Sequence, residues 1–154
     1  MDHVRFYDPR QGRWCGLSNL HPVAITFEGV PYATPEHAFQ ARRARSPEVS
    51  AWLAAAPTPE LCAVAGDALA PEDVAKDWDA TQLPLMARIL AAKFSQDPFR
   101  DLLLSTGEAY LVEWAPEDSP VNRFWGEYQG QGDNHLGRML MDLRARLRAG
   151  QPSR

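Results

Sequence analysis

Lysine and cysteine are the scarce residues of this chain. Lys76 and Lys93 are the only lysines among 16 basic residues, and Cys15 and Cys62 are the only cysteines in 154 residues. Two isolated thiols build neither a disulfide framework nor a zinc site, and they point to a reducing compartment. Long apolar runs are lacking, so nothing approaches the length of a membrane span. The opening Met1-Asp2-His3-Val4-Arg5 has no apolar stretch of the signal-peptide kind. A cytoplasmic protein with no membrane partner is the expectation. Excess positive charge is lacking as well. The formal net charge is −4, which excludes a global field that gathers nucleic acid. The basic residues are mostly arginines, fork-shaped donors suited to phosphate or carboxylate. Most of them are expected simply to solvate helix faces.

What is present reads as one domain over residues 1–150 with a short flexible tail, 151–154. Val4 to Tyr7 is a short β-prone run. Val23 to Tyr32 reads as two strands turned at Glu28-Gly29. Helices then dominate. Thr34-Pro35-Glu36, Ser46-Pro47-Glu48 and Thr58-Pro59-Glu60 each supply a capping hydroxyl, a proline for the first helical position and an acid for the positive helix end. Ala70-Pro71-Glu72 repeats the signal without the hydroxyl. Asp79 is expected to cap the next helix, with Pro84 in its first turn. That helix carries Leu83, Met86, Ala87, Leu90, Ala91 and Phe94 at helical spacing. Asp97-Pro98 starts a further helix through Leu104, and Ala109 to Trp114 reads as a strand. Residues 115–133 read as one long loop, followed by an amphipathic helix bearing Leu136, Met139, Leu140, Leu143 and Leu147.

Three places invite chemistry. The loop Asn122-Arg123-Phe124-Trp125-Gly126-Glu127-Tyr128-Gln129-Gly130-Gln131-Gly132-Asp133-Asn134 mixes aromatics, amides and glycines. Its glycines permit close backbone approach, its rings can stack on a planar base, and the next helix start can face a phosphate. Its spacing fits neither a dinucleotide fingerprint nor a P-loop. Equally, Asn134 reads as a helix cap, Trp125 as core and Gly137 as a close helix contact. Glu36 is the second place. Its copies Glu48, Glu60 and Glu72 make helix-end electrostatics the default reading, while His37 and Gln40 add polar groups beside it. Lys93 is the third. It reads as a lysine snorkelling to solvent or complementing the helix C-terminus, or as a partly buried amine with lowered pKa able to act as nucleophile or acid/base. His21, His37 and His135 share no metal-ligand spacing, and no Gly-x-Ser-x-Gly elbow occurs. No cofactor is called for.

Taken in order, the motifs resemble the NADAR (YbiA-like) family. Phe6-Tyr7 and Leu17-Ser18-Asn19-Leu20 are similar to its opening. Thr34-Pro35-Glu36-His37-Ala38-Phe39-Gln40-Ala41 resembles its Ser-Glu-His-x-Phe-Gln motif. Asp77-Trp78-Asp79, Met86 and Lys93-Phe94 follow its central helix. Phe124-Trp125-Gly126 and Gly132-x-Asn134-x-Leu136-Gly137-x-x-Leu140-Met141 follow its C-terminal signature. The resemblance implies a compact, mainly α fold with small β elements (α+β). It implies hydrolysis of an N-glycosidic bond to an ADP-ribosyl or phosphoribosyl sugar. The expected substrate is ADP-ribosyl-guanine in nucleotides, DNA or RNA; the alternative is a phosphoribosylamino-pyrimidine of riboflavin synthesis. It raises Glu36 and Lys93 to catalytic candidates. Asn19, His37, Gln40, Trp125, Gly126, Asn134 and Gly137 become pocket candidates. Asn122 joins them at a position where the family often carries Asp. Asp67 stands where an Arg often follows the glycine equivalent to Gly66. Both replacements leave open a non-catalytic ADP-ribose reader, and a protein-docking scaffold remains a third reading.

Overall fold

The computed structural model describes residues 2–150. The expected tail, 151–154, lies outside them. Its elements run in the order β1 (His3–Phe6), β2 (Ile25–Phe27), β3 (Val30–Tyr32), α1 (Pro35–Arg43), α2 (Pro47–Ala54), α3 (Pro59–Asp67), α4 (Trp78–Phe94), α5 (Phe99–Ser105), β4 (Tyr110–Glu113), α6 (Pro120–Trp125) and α7 (His135–Arg148). The fold is mainly helical with two small sheets, as expected. The chain divides into two compact units. One comprises residues 19–93; the other is built from residues 2–18 and 94–150.

In the central unit the hairpin turns where expected. Glu28 and Gly29 both take positive φ, 49° and 82°, the geometry of the tight turn that matches strand twist. The register pairs Ile25 with Tyr32 and Phe27 with Val30. Glu28 accepts hydrogen bonds from Arg42 at 2.8 Å and Arg88 at 3.2 Å, tying the turn to α1 and α4. The three cap signals act as written. Thr34 Oγ1 accepts from the His37 amide, Ser46 Oγ from that of Val49, and Thr58 Oγ1 from that of Leu61. Ala70 has no hydroxyl to offer, and Pro71–Asp73 closes only a single 3-10 turn. Helices α2 and α3 pack on α1. The core includes Phe27, Ala38, Phe39, Leu53, Cys62, Met86, Ile89 and Leu90. Phe39 and Trp78 meet with ring centroids 4.9 Å apart.

Helix α4 departs from expectation at its start. Asp77, not Asp79, is the flanking residue, and its carbonyl accepts from the amides of Ala80 and Thr81. Pro84 lies inside the helix rather than in its first turn. There it leaves the Ala80 carbonyl without its usual i+4 donor. The buried stripe runs through Leu85, Met86, Ile89, Leu90, Lys93 and Phe94.

In the terminal unit β1 and β4 pair in parallel, His3 opposite Tyr110 through Phe6 opposite Glu113. Helix α7 packs on β4 and lies against α5 and α6. Leu136, Leu140, Leu143 and Leu147 face inward, with Met139 half-buried. Residues 115–133 are not one loop, because α6 interrupts them. Ser119 Oγ caps the Asn122 amide and Pro120 opens the helix, the same grammar as α1 to α3 without the glutamate. Among the described residues no helix is long and apolar enough to cross a membrane.

Candidate active site

Glu36 sits in the first turn of α1, where an acid meets unpaired amides. Glu48 and Glu72 do the same at exposed helix starts, and Glu60 at a half-buried one. Glu36 alone of the four is buried, at 8% exposure. Its Oε2 accepts a hydrogen bond from Gln40 Nε2 at 2.8 Å, one helical turn on. Burial pushes the carboxyl up to about 7, against the Gln40 hydrogen bond; Asp67 adds to the rise and Arg43 opposes it. A carboxyl that holds its proton close to neutrality can give that proton away and take one back.

Gln40 is held through its amide nitrogen. Its Nε2 also reaches Asp67 Oδ1 at 3.4 Å, and Asp67 pairs with Arg43 at 2.8 Å. Its Oε1 is buried without a hydrogen-bond partner. The amide fits only because α3 carries glycine opposite it. A Cβ at Gly66 would overlap Gln40 Oε1. The thiol of Cys62 lies on the same helix and donates to the Leu53 carbonyl. Burial pushes it up to about 12, with Glu36 and Asp67 adding to the effect, so it is no nucleophile at neutral pH.

His37 is committed to bracing. One ring nitrogen meets the Thr34 hydroxyl at 2.8 Å and the other the Ala56 carbonyl at 2.9 Å. Because a carbonyl only accepts, Nε2 carries the hydrogen on that side. The ring thus fastens the start of α1 to the turn between α2 and α3. Asn19 is buried beside α4, donating through Nδ2 to Met86 Sδ at 2.9 Å, and its Oδ1 has no partner. Lys93 is fully buried, at 0% exposure. The snorkelling reading is therefore overturned. Met86, Ile89, Leu90 and Lys93 follow the buried spacing of α4, so the apolar stripe itself carries the amine inward.

The remaining candidates belong to the terminal unit, where one backbone-linked set holds Asn122, Gly126 and Asn134, with Gly137 following in the first turn of α7. The Gly126 amide donates to the Asn122 carbonyl at 2.8 Å, and the Asn134 amide to the Gly126 carbonyl at 3.1 Å. Asn134, with φ 50°, does not cap α7 with its side chain. It donates instead to the Leu111 carbonyl at 2.9 Å and Tyr110 Oη at 3.0 Å, and accepts from the Glu113 amide at 3.3 Å. Side chains at Gly126 and Gly137 would strike the carbonyls of Glu113 and Leu111. Both glycines thus permit close approach to β4, Gly126 just past α6 and Gly137 in the first turn of α7. Asn122 Nδ2 donates to the Glu117 carbonyl. Trp125 is half-buried at the end of α6, edge-on to Phe124 with centroids 4.9 Å apart. Among the described residues no three His, Cys, Asp or Glu side chains gather as a metal site would require.

The sequence reading missed Arg43, and it treated Asp67 only as a lost arginine. The structure places a guanidinium beside Asp67 after all, from α1 rather than α3. Helical spacing was the available signal, since Glu36, Gln40 and Arg43 fall at i, i+4 and i+7.

Residues 5–148 match the NADAR domain. The chain belongs to the NADAR family. An N-glycosidase of Nostoc punctiforme is 33% identical over 150 residues, covering 94% of this chain and 92% of that protein. The N-glycosidase YbiA of Escherichia coli is 34% identical over 134 residues, covering 85% and 80% of the two chains. The NMR structure of E. coli YbiA superimposes with a TM-score of 0.85 at 29% identity, over 97% of this chain and 87% of that one. The chloroplastic riboflavin biosynthesis protein PYRR of Zea mays is 34% identical over 147 residues, of which this chain spans 23% of the length. The NADAR relatives that this chain covers nearly whole are thus named as hydrolases of N-glycosyl bonds, and the expectation of an enzyme of that class stands.

Proposed function

We propose that this NADAR chain hydrolyses the N-glycosyl bond between a phosphoribosyl or ADP-ribosyl sugar and a nitrogenous base, with Glu36 as the acid. The observation that carries the reading is the Glu36 carboxyl, buried, hydrogen-bonded by Gln40 and pushed up to about 7. As the C1′–N bond breaks, positive charge grows on the ribose ring and the bonding electrons pass to the base nitrogen. The Glu36 proton goes to that nitrogen. Water adds to C1′, and the proton it sheds returns to the carboxylate. Lys93 is the second catalytic candidate, as proton donor to the base or as the amine that forms a Schiff base with the opened sugar. Similarity to the riboflavin biosynthesis protein favours a phosphoribosylamino-pyrimidine; ADP-ribosyl-guanine is the other substrate of the same chemistry.

The test is release of free base from a panel: ADP-ribosyl-guanine oligonucleotide, ADP-ribosyl nucleosides and phosphoribosylamino-pyrimidine. Glu36→Gln and Lys93→Ala are run beside the unmodified chain. Loss of turnover in a folded Glu36→Gln supports the acid role, and full activity in both folded variants overturns the assignment. Borohydride trapping of sugar on Lys93 separates the Schiff base from proton donation. Binding of ADP-ribose without turnover of any glycoside would establish a reader instead.

A further inference from the structure

A titratable acid needs something to set it, and the groups around Glu36 form a definite array. Gln40 Nε2 stands between two carboxylates, 2.8 Å from Glu36 Oε2 and 3.4 Å from Asp67 Oδ1. Asp67 is gripped by Arg43 at 2.8 Å, and Arg43 Nε is itself buried without a partner. Gly66 precedes Asp67 and lets α3 approach closely enough for the amide to bridge. We propose that the Arg43–Asp67 pair, coupled through the Gln40 amide, is a positioning unit that balances two opposed charges on Glu36 and so holds its proton affinity in place when the glycoside is bound. This rests on the reading of Glu36 as the acid.

The sign of each contribution is fixed by charge. Asp67 is negative and favours the protonated, uncharged Glu36; Arg43 is positive and favours the carboxylate. Because the two neutralise each other, their net influence is small while both are present, and removing either should uncover the other. The elements packed on α1 bring further titratable groups: Glu48 from α2, Glu60 and Cys62 from α3, and Tyr32 from β3. Of the charged groups, Asp67 and Arg43 are those that act on Glu36. Asp67 is exposed, so the amide can be swapped in at that position without opening the core.

The experiment is a titration of the Glu36 carboxyl by carbon NMR in the full chain, with its signal identified by Glu36→Gln. The pH profile of glycoside turnover is recorded on the same variants. Asp67→Asn should lower the Glu36 midpoint by roughly one pH unit, Arg43→Gln should raise it by a similar amount, and Asp67→Glu should leave it in place. The limb of the turnover profile governed by the acid should follow each shift, about tenfold in rate per unit on the steep side. Midpoints that stay put in both charge-removing variants overturn the proposal. Midpoints that move while the turnover limb does not would keep the unit but remove Glu36 as the acid, so the two readings fail separately. Circular dichroism shows whether Arg43→Gln folds. Should it fail, Asp67→Asn still decides, because it removes the charge at unchanged size while Asp67→Glu keeps it.

Discussion

Helices α1 and α2 begin with the same letters, a hydroxyl residue followed by Pro-Glu, and the two starts do different work. At α2 the glutamate faces water and serves only the unpaired amides of the first turn. At α1 it is roofed by neighbouring helices, and burial pushes its carboxyl up to about 7. Local sequence writes the helix start, and tertiary cover decides what the acid in it can do. A residue that is useful in one place and inert in its copy is best read by removing both.

The largest contrast is expected in turnover. Glu36→Gln should lower the rate of base release by at least about a hundredfold, while Glu48→Gln leaves it unchanged, measured as kcat on whichever glycoside is turned over. Stability should move the opposite way. A carboxyl held at about 7 when folded and at 4.5 when unfolded favours the folded state fully below 4.5. That relative advantage is lost as pH rises between the two values, and above about 7 the charged group is a penalty. Glu36→Gln should therefore stabilise the fold by up to about 3 kcal/mol near pH 8 and by little below 4.5. Glu48→Gln should stay within about 0.5 kcal/mol at both. Denaturant midpoints at the two pH values check this. Gly66→Ala should cost about 1–3 kcal/mol by driving the Gln40 amide off the Glu36 carboxyl, with the Glu36 titration shifting upward as its donor leaves. The smallest contrast lies in the caps. Thr58→Ala should cost about 1 kcal/mol, and Thr34→Ala somewhat more, because Thr34 also holds the His37 ring. Equal losses at the two caps would mean that the His37 link contributes nothing.

Much of this was legible beforehand where one residue's own chemistry decides. Glu28-Gly29 turned the hairpin, and the hydroxyls before Pro35, Pro47 and Pro59 capped three helices. The missing hydroxyl at Ala70 left a single turn. The reading went astray where a signal was diluted. Ser119-Pro120 is a helix start, yet glycines and aromatics after it resemble a loop. Lys93 was open to both readings because a charge is expected to seek water, and only the depth of the α4 stripe overrides that. The pairing of Arg43 with Asp67 was out of reach, since it depends on how near α3 lies to α1. That distance is set by a glycine whose reason appears only once the helices are packed.

The six residues from Glu127 to Gly132 close a tight turn, in which Tyr128 and Gln131 each donate an amide to the other's carbonyl. The Asp133 amide meets the Arg123 carbonyl and Asn134 meets Gly126; Glu127 bonds through its main chain to Glu113 and Ala115 and through its carboxylate to Tyr110, and Arg123 donates to Gln131, so the segment is fastened to the unit below its tip. At its tip Gln129 and Gly130 turn with positive φ, 50° and 82°, and both are exposed. With the base held in this way, the exposed tip at Gln129 and Gly130 is the part that projects. New residues spliced between Gln129 and Gly130 should add only the slow logarithmic entropy of a longer excursion. This is the part of the chain best suited to carry a grafted tag, a spectroscopic probe or a foreign recognition sequence.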